Sequence, residues 1–241
     1  TLIDGSTTDA TRYLRVYPAA GSEAQSPYNT STAYRLEVAL PPAERGLSIR
    51  DNYTRIERIQ IKATFSAPLG TYPYREVEVV SASEVRIVGC YIKGDLSAWS
   101  SGTTYGYGIY EGPDISGNNY YIDNIIDGFD HLDHTRSWGF ISVHHTSGKG
   151  YFYNNTIVNC GICYHEAYSD VIAKNNIFRP VSGGTSVGSC GSLCDYNASS
   201  TAAATGGAHD RVNQTFTFVG ATDFHLDSGD AGARTYGVDL S

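Results

Sequence analysis

Apolar and polar residues follow a pattern in this chain that returns at nearly fixed intervals. In two segments, residues 150–159 and 170–179, an apolar residue is followed three positions later by Asn and five positions later by Ile. The members are Phe152, Asn155 and Ile157 in the first segment, and Ile172, Asn175 and Ile177 in the second. A 20-residue repeat rich in Asn and β-branched residues predicts one coil of a parallel β-solenoid, in which each coil buries its apolar face by stacking on the next.

Three weaker copies of the pattern precede these two. In chain order they are Ile56, Ile59 and Ile61; Ile87, Cys90 and Ile92; and Tyr120, Asp123 and Ile125. From Ile61 to Ile157, the last members of successive copies lie 31 to 33 positions apart. The earlier coils therefore carry insertions that the last coil lacks.

A run of alternating apolar residues precedes each copy. The pairs are Leu47 and Ile49, Val77 and Val79, Tyr107 and Ile109, Ile141 and Val143, and Ile162 and Tyr164. Alternation with a period of two predicts a strand with one buried face. Each coil is therefore expected to contain at least two strands and a bend.

The middle residue of each copy is predicted to stand at the bend and to form a column along the solenoid. This structural ladder consists of Ile59, Cys90, Asp123, Asn155 and Asn175. Asn is favoured at a bend because it tolerates a left-handed backbone and bonds its own backbone. Stacked Asn side chains can also bond one another from coil to coil. We interpret these residues as scaffold and not as chemistry.

The ends of the chain are less regular. Residues 13–17 and 34–39 predict two weaker strands, enough for one more coil, so the predicted β-helix covers residues 1–197 and is regular over residues 47–197. Residues 198–241 are expected to be a linker and a capping segment, whose short apolar stretches at 216–219 and 223–226 would cover the carboxyl-terminal end of the core. The absence of Met, even at position 1, suggests processing or a fragment.

The predicted insertions fall at equivalent places in successive coils. Residues 63–75, 94–105 and 128–138 each follow the last Ile of a copy, so we expect three neighbouring loops on one side of the solenoid. They carry the candidate glycan-binding residues Tyr72, Tyr74, Trp99, Tyr105 and Trp138. Aromatic rings can stack on the apolar faces of sugars, although packing of the loops against the solenoid is the alternative explanation.

Composition excludes several classes of function. A net charge of −8 and a pI near 5.3 argue against nucleic-acid binding, which requires basic surfaces. No apolar run approaches the length of a membrane span. The five cysteines are Cys90, Cys160, Cys163, Cys190 and Cys194. We interpret them as buried apolar residues or as one disulfide between neighbouring coils, in preference to a zinc site.

The repeated coils resemble the right-handed parallel β-helix of the pectin-lyase-like superfamily over about residues 47–197. The segments 3–10, 194–200, 223–226 and 237–241 are similar to those of a β-helix subgroup encoded by bacteriophages and found in environmental sequences. The resemblance implies a virion surface component, mostly without assigned enzymatic activity and often trimeric. This chain departs from the subgroup because its usual amino-terminal segment and its acidic, glycine-rich tail are missing.

Enzymatic motifs of the superfamily are also missing. A polygalacturonase-like hydrolase would carry Asn-Thr-Asp, Asp-Asp, Gly-His-Gly and Arg-Ile-Lys on consecutive coils, and none of these is present. A lyase would need Ca²⁺ or Arg to neutralise a uronate, together with a base. If the protein is an enzyme, the candidate catalytic residues are Asp130, Asp133, His134 and Arg136, beside His144, His145 and Lys149. The alternative is a solvated, salt-bridged loop.

These observations predict a non-catalytic structural or recognition rod at a virion surface or otherwise outside the cell. Expected partners are other virion proteins, a surface polysaccharide and further copies of the chain, with no nucleic acid and no membrane span. No cofactor or metal is predicted, apart from Ca²⁺ in the lyase alternative. The alternatives are a polysaccharide lyase or glycoside hydrolase and, third, a secreted bacterial adhesin.

Overall fold

The computed structural model describes residues 1–40, 44–65, 73–96, 105–131, 134–143, 145–168, 170–203 and 205–240. Within these ranges the regular structure consists of strands, which form three sheets of parallel strands. The predicted all-β class with parallel strands is confirmed. A search of the described residues for a helix long and apolar enough to span a membrane found none.

We name the sheets A, B and C in the order in which the chain visits them. Sheet A contains β1 (Leu2–Ile3), β4 (Arg45–Ile49), β7 (Tyr74–Val79), β10 (Gly106–Glu111), β13 (Ser137–Ser142), β16 (Ile162–Glu166) and β19 (Thr185–Ser189). Sheet B contains β2 (Leu14–Val16), β5 (Thr54–Glu57), β8 (Arg86–Val88), β11 (Asn119–Ile122), β14 (Gly150–Tyr153) and β17 (Val171–Lys174). Sheet C contains β3 (Arg35–Leu40), β6 (Gln60–Phe65), β9 (Tyr91–Lys93), β12 (Ile125–Asp127), β15 (Thr156–Val158), β18 (Ile177–Arg179) and β20 (Ala198–Ser199).

Each coil through β18 contributes one strand to each sheet, and the last coil contributes β19 to sheet A and β20 to sheet C. The arrangement is consistent with a parallel β-helix. The repeated triplet of the sequence spans the sheet B strand, a corner and the sheet C strand, whereas the alternating run supplies the sheet A strand. Registers are regular: Ile56 pairs with Ile87 in sheet B, and Ile61 pairs with Ile92 in sheet C. The predicted weak strands at 13–17 and 34–39 correspond to β2 and β3, which pair with β5 and β6.

The core changes character along the stack. Ile and Val fill the first coils, whereas six buried rings fill the later ones: Tyr121, Phe129, Phe140, Phe152, Tyr164 and Phe178. Phe140 lies at the centre of this group, with ring centroids 4.4 Å from Phe152 and 5.4 Å from Tyr164. Large rings stacked at these distances bury much apolar area for each coil, which compensates for its small number of residues.

The predicted buried face is shifted by one residue in β13, and one of the two predicted inward residues is wrong in β10 and in β16, where Tyr107 and Ile162 are only half-buried. Phe140 and Ser142 pair with Ile109 and Glu111 and are buried, whereas Ile141 is only half-buried. Gly139 is buried beside Phe140, and a Cβ on Gly139 would lie 2.4 Å from Ile157 Cγ2. In β13 the two consecutive residues Gly139 and Phe140 are both buried, which breaks the period of two, and the next inward residue is the polar Ser142. A prediction that follows only the apolar residues therefore assigns the wrong face of the strand to the core.

The ladder at the corner between sheets B and C also differs from the prediction. The registers of sheet C place Ile59, Cys90 and Asn155 in one column, but the other members of that column are Asn124, Asn176 and Asn197. These Asn side chains are buried and bond in sequence: Asn124 Nδ2 donates to Asn155 Oδ1 (3.0 Å), and Asn155 Nδ2 donates to Asn176 Oδ1 (3.0 Å). The prediction that Asp123 and Asn175 belong to the ladder is therefore wrong.

The residues one position earlier form a second column, in which the backbone is left-handed. Asp123, Asn154 and Asn175 have φ angles of 57°, 57° and 59°. Asp123 and Asn154 are exposed and Asn175 is half-buried, so this column turns the chain, whereas the neighbouring column bonds the interior. Both columns favour Asn or Asp, but for different reasons: tolerance of positive φ in the first and amide hydrogen bonding in the second.

The carboxyl-terminal segment does not lie where the sequence predicts. Phe216 and Phe224 are buried against the outer face of sheet C, where they contact the clusters of Ile177 and Val158 respectively. The Phe224 amide donates to Ser26 Oγ at 2.7 Å, which joins the two ends of the described chain. Covering an open apolar sheet face buries more area than covering the end of a narrow core, which explains the difference.

Four of the cysteines lie near the end of the stack. Cys190 and Cys194 form a disulfide within one turn and not between coils, while Cys160 and Cys163 are buried free thiols, as is Cys90 in an earlier coil. Burial raises the pKa of Cys90 to about 12. Glu166 lies near Cys190 and Cys194, but their sulfurs are consumed by the disulfide and are not available as thiolate ligands.

Candidate functional site: an aromatic face on sheet A

Four aromatic side chains gather on the outer surface of sheet A. We call this set the aromatic face; it consists of Tyr105, Tyr107, Tyr110 and Trp138. Tyr105 immediately precedes β10, Tyr107 and Tyr110 lie on β10, and Trp138 lies on β13. Tyr107 and Trp138 are register partners in the sheet, so their rings are held next to each other by the strand pairing itself.

The rings form a continuous, mostly parallel surface. Ring centroids lie 5.2 Å apart for Tyr107 and Trp138, with 23° between the ring planes, and 5.6 Å apart for Tyr105 and Trp138. Tyr107 and Tyr110 are 5.3 Å apart. Tyr105 is 39% exposed, and the other three are half-buried. Half-buried rings that pack on one another are held in fixed orientations, as required for a preformed ligand platform.

One edge of the aromatic face carries a compact charged group. The Arg75 guanidinium lies 4.0 Å from the centroid of Tyr110 and forms an ion pair with Glu78. Arg45 Nε forms a second ion pair with the same carboxylate at 2.6 Å, and Ser48 Oγ donates a hydrogen bond to it at 2.9 Å. Burial opposes ionisation of Glu78, but the bonds from Arg45 and Ser48 outweigh it and lower its pKa. The carboxylate is therefore charged at neutral pH and fixes both arginines.

On the opposite edge of the aromatic face, neither Ile162 nor His165 carries a charged side chain. Ile162 pairs with Trp138 in the next strand of sheet A, and His165 pairs with Ile141. Burial lowers the pKa of His165, so its imidazole is neutral at pH 7. The aromatic face therefore runs across the strands from a charged edge to a neutral edge.

Of the predicted glycan-binding residues, the structure brings Tyr105 and Trp138 together. Tyr74 does not reach the surface: it is 1% exposed and packs with Ala63 and Leu96. Tyr74 is therefore not a candidate glycan-binding residue. The alternative explanation, packing against the solenoid, applies to it. Tyr72 and Trp99 lie outside the described residues. The sequence reasoning missed Tyr107 and Tyr110 as surface residues, because alternation placed Tyr107 on the buried face with Ile109. In the structure the two consecutive residues Gly108 and Ile109 are both buried, which turns Tyr107 and Tyr110 outward.

The three predicted insertions occupy one corner of each coil. Each lies between a sheet C strand and the following sheet A strand, namely between β6 and β7, between β9 and β10, and between β12 and β13. Tyr105 and Trp138 stand where two of these insertions enter sheet A. The aromatic face is therefore built partly from the beginnings of sheet A strands and partly from the connections that lead into them.

Two of the alternative catalytic residues, Asp130 and His134, lie beside each other at the surface. His134 Nδ1 lies 2.7 Å from Asp130 Oδ1, and the two side chains are 32% and 33% exposed. Arg136 is half-buried two positions beyond His134. Asp133 and His144 lie outside the described residues, so the carboxylate separation that would distinguish inverting from retaining hydrolysis is not defined for the Asp130 and Asp133 pair.

A stronger acid–base pair is buried inside the stack. His145 Nε2 lies 3.0 Å from Glu111 Oε2, and both side chains have no exposed surface. The other Glu111 oxygen accepts hydrogen bonds from Tyr121 (2.7 Å) and Asn119 (3.1 Å). No substrate can reach this pair without opening the coil, so we assign it to stability. The sequence reasoning missed Glu111, because a single Glu in an apolar strand gives no signal of a partner 34 residues away.

The aromatic face is thus the surface with the clearest chemical preference among those formed by the described residues. Comparisons with protein-family models, with curated proteins and with solved structures found no match.

Proposed function

We propose that this protein is a non-catalytic recognition rod that binds a glycan on the aromatic face of sheet A. The single observation that supports the proposal is the fixed stack formed by Tyr105, Tyr107 and Trp138, with centroids 5.2 to 6.4 Å apart. Sugar rings present apolar C–H surface, and exposed aromatic faces supply a matching surface with little loss of side-chain freedom.

The geometry of the sheet favours an extended ligand. Adjacent strands lie about 4.8 Å apart, and the aromatic face crosses from β10 to β13. A sugar chain that lies across the strands, along the stacking direction, therefore meets one ring after another. The charged edge carries two arginines on one carboxylate, and the guanidinium groups supply hydrogen-bond donors for hydroxyl groups.

We extend this proposal to the setting of the protein. The resemblance of the coils to bacteriophage and environmental β-helix proteins supports a right-handed, pectin-lyase-like β-helix on a virion surface, in contact with other virion proteins and assembled as a homo-oligomer. Rigid strands in such a rod present binding residues in fixed positions. Antibody labelling of intact particles tests this part: an absence of the chain from purified particles contradicts it.

Replacing Trp138 with Ala is expected to weaken glycan binding roughly tenfold, because the largest ring of the stack, which contacts both Tyr105 and Tyr107, is lost. The measurement is retention of the protein on immobilised polysaccharides, first screened with the unaltered protein. Tyr17→Ala is the matched control, since Tyr17 is 56% exposed and lies next to sheet B.

Two results would count against the proposal. Equal retention of Trp138→Ala and the unaltered protein would remove the aromatic face as the binding site. Shortening of the polysaccharide during incubation would favour the enzyme alternative, for which the exposed Asp130 and His134 pair is the supporting observation.

A further inference from the structure

A cavity of about 290 Å³ lies between the last coils and the carboxyl-terminal segment. We call it the tail cavity. One wall comes from the corner between sheets B and C, including Asn154, Asn175 and Tyr196, and the other comes from residues 209–237, including Arg211 and Tyr236. Its volume is at the lower end of the range of small-molecule sites, about 300–1,000 Å³, which suits a single sugar unit better than a larger ligand.

The second wall is fixed to the coils by specific hydrogen bonds. Asn175 Nδ2 donates to Val238 O at 2.8 Å, and Asn175 Oδ1 accepts from Val238 N at 2.9 Å. Arg211 Nη1 donates to the carbonyl oxygens of Ala231 (3.1 Å) and Gly232 (2.9 Å). The tail cavity is therefore preformed, so a ligand does not have to order the segment when it binds.

Aromatic rings occupy both walls. The Tyr196 ring stacks on His209 with a centroid distance of 4.4 Å and 8° between the ring planes. Opposite, the Tyr236 ring is 51% exposed and carries the Arg211 guanidinium 3.5 Å from its centroid. Rings on two sides supply apolar faces for a flat ligand such as a pyranose.

The side-chain amide of Asn154, in the first wall of the tail cavity, has a free hydrogen-bond donor. Asn154 Oδ1 accepts from Asn175 Nδ2 at 3.2 Å. Asn154 Nδ2 has no acceptor among the residues that the structure describes. A carboxamide with an uncommitted N–H group at an exposed position is suited to a sugar hydroxyl.

The two arginines of the lining are its most selective feature. Arg211 and Arg234 line the tail cavity, in a chain with a net charge of −8. Within the described residues the lining itself includes no Asp or Glu, and the lining His209 is paired with Asp195, whose Oδ2 lies 2.8 Å from His209 Nδ1. Arg211 donates to the carboxyl-terminal segment through Nη1, and its Nε and Nη2 have no hydrogen-bond acceptor within the described part of the chain. Arginine donors arranged in a fork favour carboxylate, sulfate and phosphate groups.

We infer that the tail cavity binds a single sugar unit that carries an anionic group. The aromatic rings hold the sugar ring, Asn154 bonds a hydroxyl group, and Arg211 and Arg234 bond the anion. This site is separate from the aromatic face of sheet A and does not depend on the function proposed for that face.

The test measures the binding of D-glucuronate, D-glucose 6-sulfate and D-glucose to the full chain by NMR chemical-shift titration. At least one anionic sugar is expected to bind roughly tenfold more tightly than glucose, and Arg234→Gln is expected to remove most of that difference. Arg234 is exposed, so this variant is expected to fold. Which of the two anionic sugars binds distinguishes a carboxylate ligand from a sulfate ligand.

Three controls make the result specific. Arg12→Gln removes a guanidinium that is 72% exposed and far from the tail cavity in sequence, and it should leave binding unchanged. Trp138→Ala should also leave it unchanged, which separates this site from the aromatic face. Tyr236→Ala should weaken binding of the anionic sugar. Binding of glucose as tight as that of both anionic sugars, or anionic binding unaffected by both Arg234→Gln and Tyr236→Ala, would overturn the inference.

Discussion

Replacing Asn155 with Asp is expected to lower the free energy of unfolding by about 3–5 kcal/mol. Asn155 is fully buried and donates through Nδ2 to Tyr121 O (2.9 Å) and to Asn176 Oδ1 (3.0 Å). An aspartate has the same shape but cannot make either donation when ionised. It would also place a negative charge beside two acceptor oxygens in the interior of the ladder.

Urea denaturation at pH 7, followed by tyrosine and tryptophan fluorescence, measures this loss. Asp123→Asn is the matched control because it makes the reverse exchange at the same corner of a neighbouring coil. Asp123 is exposed and needs only tolerance of positive φ, so its replacement is expected to change stability by less than about 0.5 kcal/mol. Equal effects of the two substitutions would show that the buried column has no special role.

Replacing Glu111 with Gln is expected to lower the free energy of unfolding by about 3–5 kcal/mol near pH 6. Burial opposes ionisation of Glu111, but bonds from His145, Tyr121 and Asn119 lower its pKa. Burial likewise lowers the pKa of His145, but Glu111 outweighs it and raises that pKa overall. The substitution leaves a buried imidazolium without its counter-ion.

The pair also predicts how stability depends on pH. Because the folded pKa of His145 is raised, its contribution is complete below the unfolded value of about 6.5 and is lost as the pH rises through the raised folded value. Because the folded pKa of Glu111 is lowered, its contribution is present above about 4.5 and is lost as the pH falls through the lowered folded value. The pair is therefore expected to stabilise the protein most between about pH 4.5 and pH 6.5.

Urea titrations of the unaltered protein and Glu111→Gln between pH 4.5 and pH 9 measure this dependence. The difference between them should shrink at high pH, because neutral His145 can accept a hydrogen bond from the glutamine amide. Other ionisable groups near the pair are Asp170, whose Oδ2 accepts from the His145 amide at 3.3 Å, and Lys149, which lies 3.6 Å from Asp170. Glu44→Gln, at an exposed site, controls for general charge effects. A difference that stays constant across this range would contradict the assigned ion pair.

The sequence predicted the part of the coil where apolar residues occupy every inward position. Ile56, Ile61, Ile87 and Ile92 recur with the spacing of strands in sheets B and C, and all four are buried in the core. Strand pairing in a stacked repeat requires equivalent positions to lie above one another. Periodicity therefore determined both the fold class and the pairing of these strands.

Prediction of the ladder failed where two neighbouring residues have the same chemical preferences. Asn154 and Asn155, and likewise Asn175 and Asn176, are adjacent amides. One member of each pair takes the left-handed turn, and the other enters the core. Side-chain type alone cannot assign these roles, because Asn is suited to both. The register between coils decides which residue points inward.

The sequence by itself determined that this chain folds into stacked parallel strands, because that information is carried by local spacing and by residue type. Only the tertiary structure decided that Glu111 points inward to His145, that Tyr107 joins Trp138 on an outer face, and that the carboxyl-terminal segment returns along sheet C. Each of these depends on contact between residues distant in the chain. Burial of a charge or packing of a ring is favourable only when its partner is in place, and no local pattern specifies that partner.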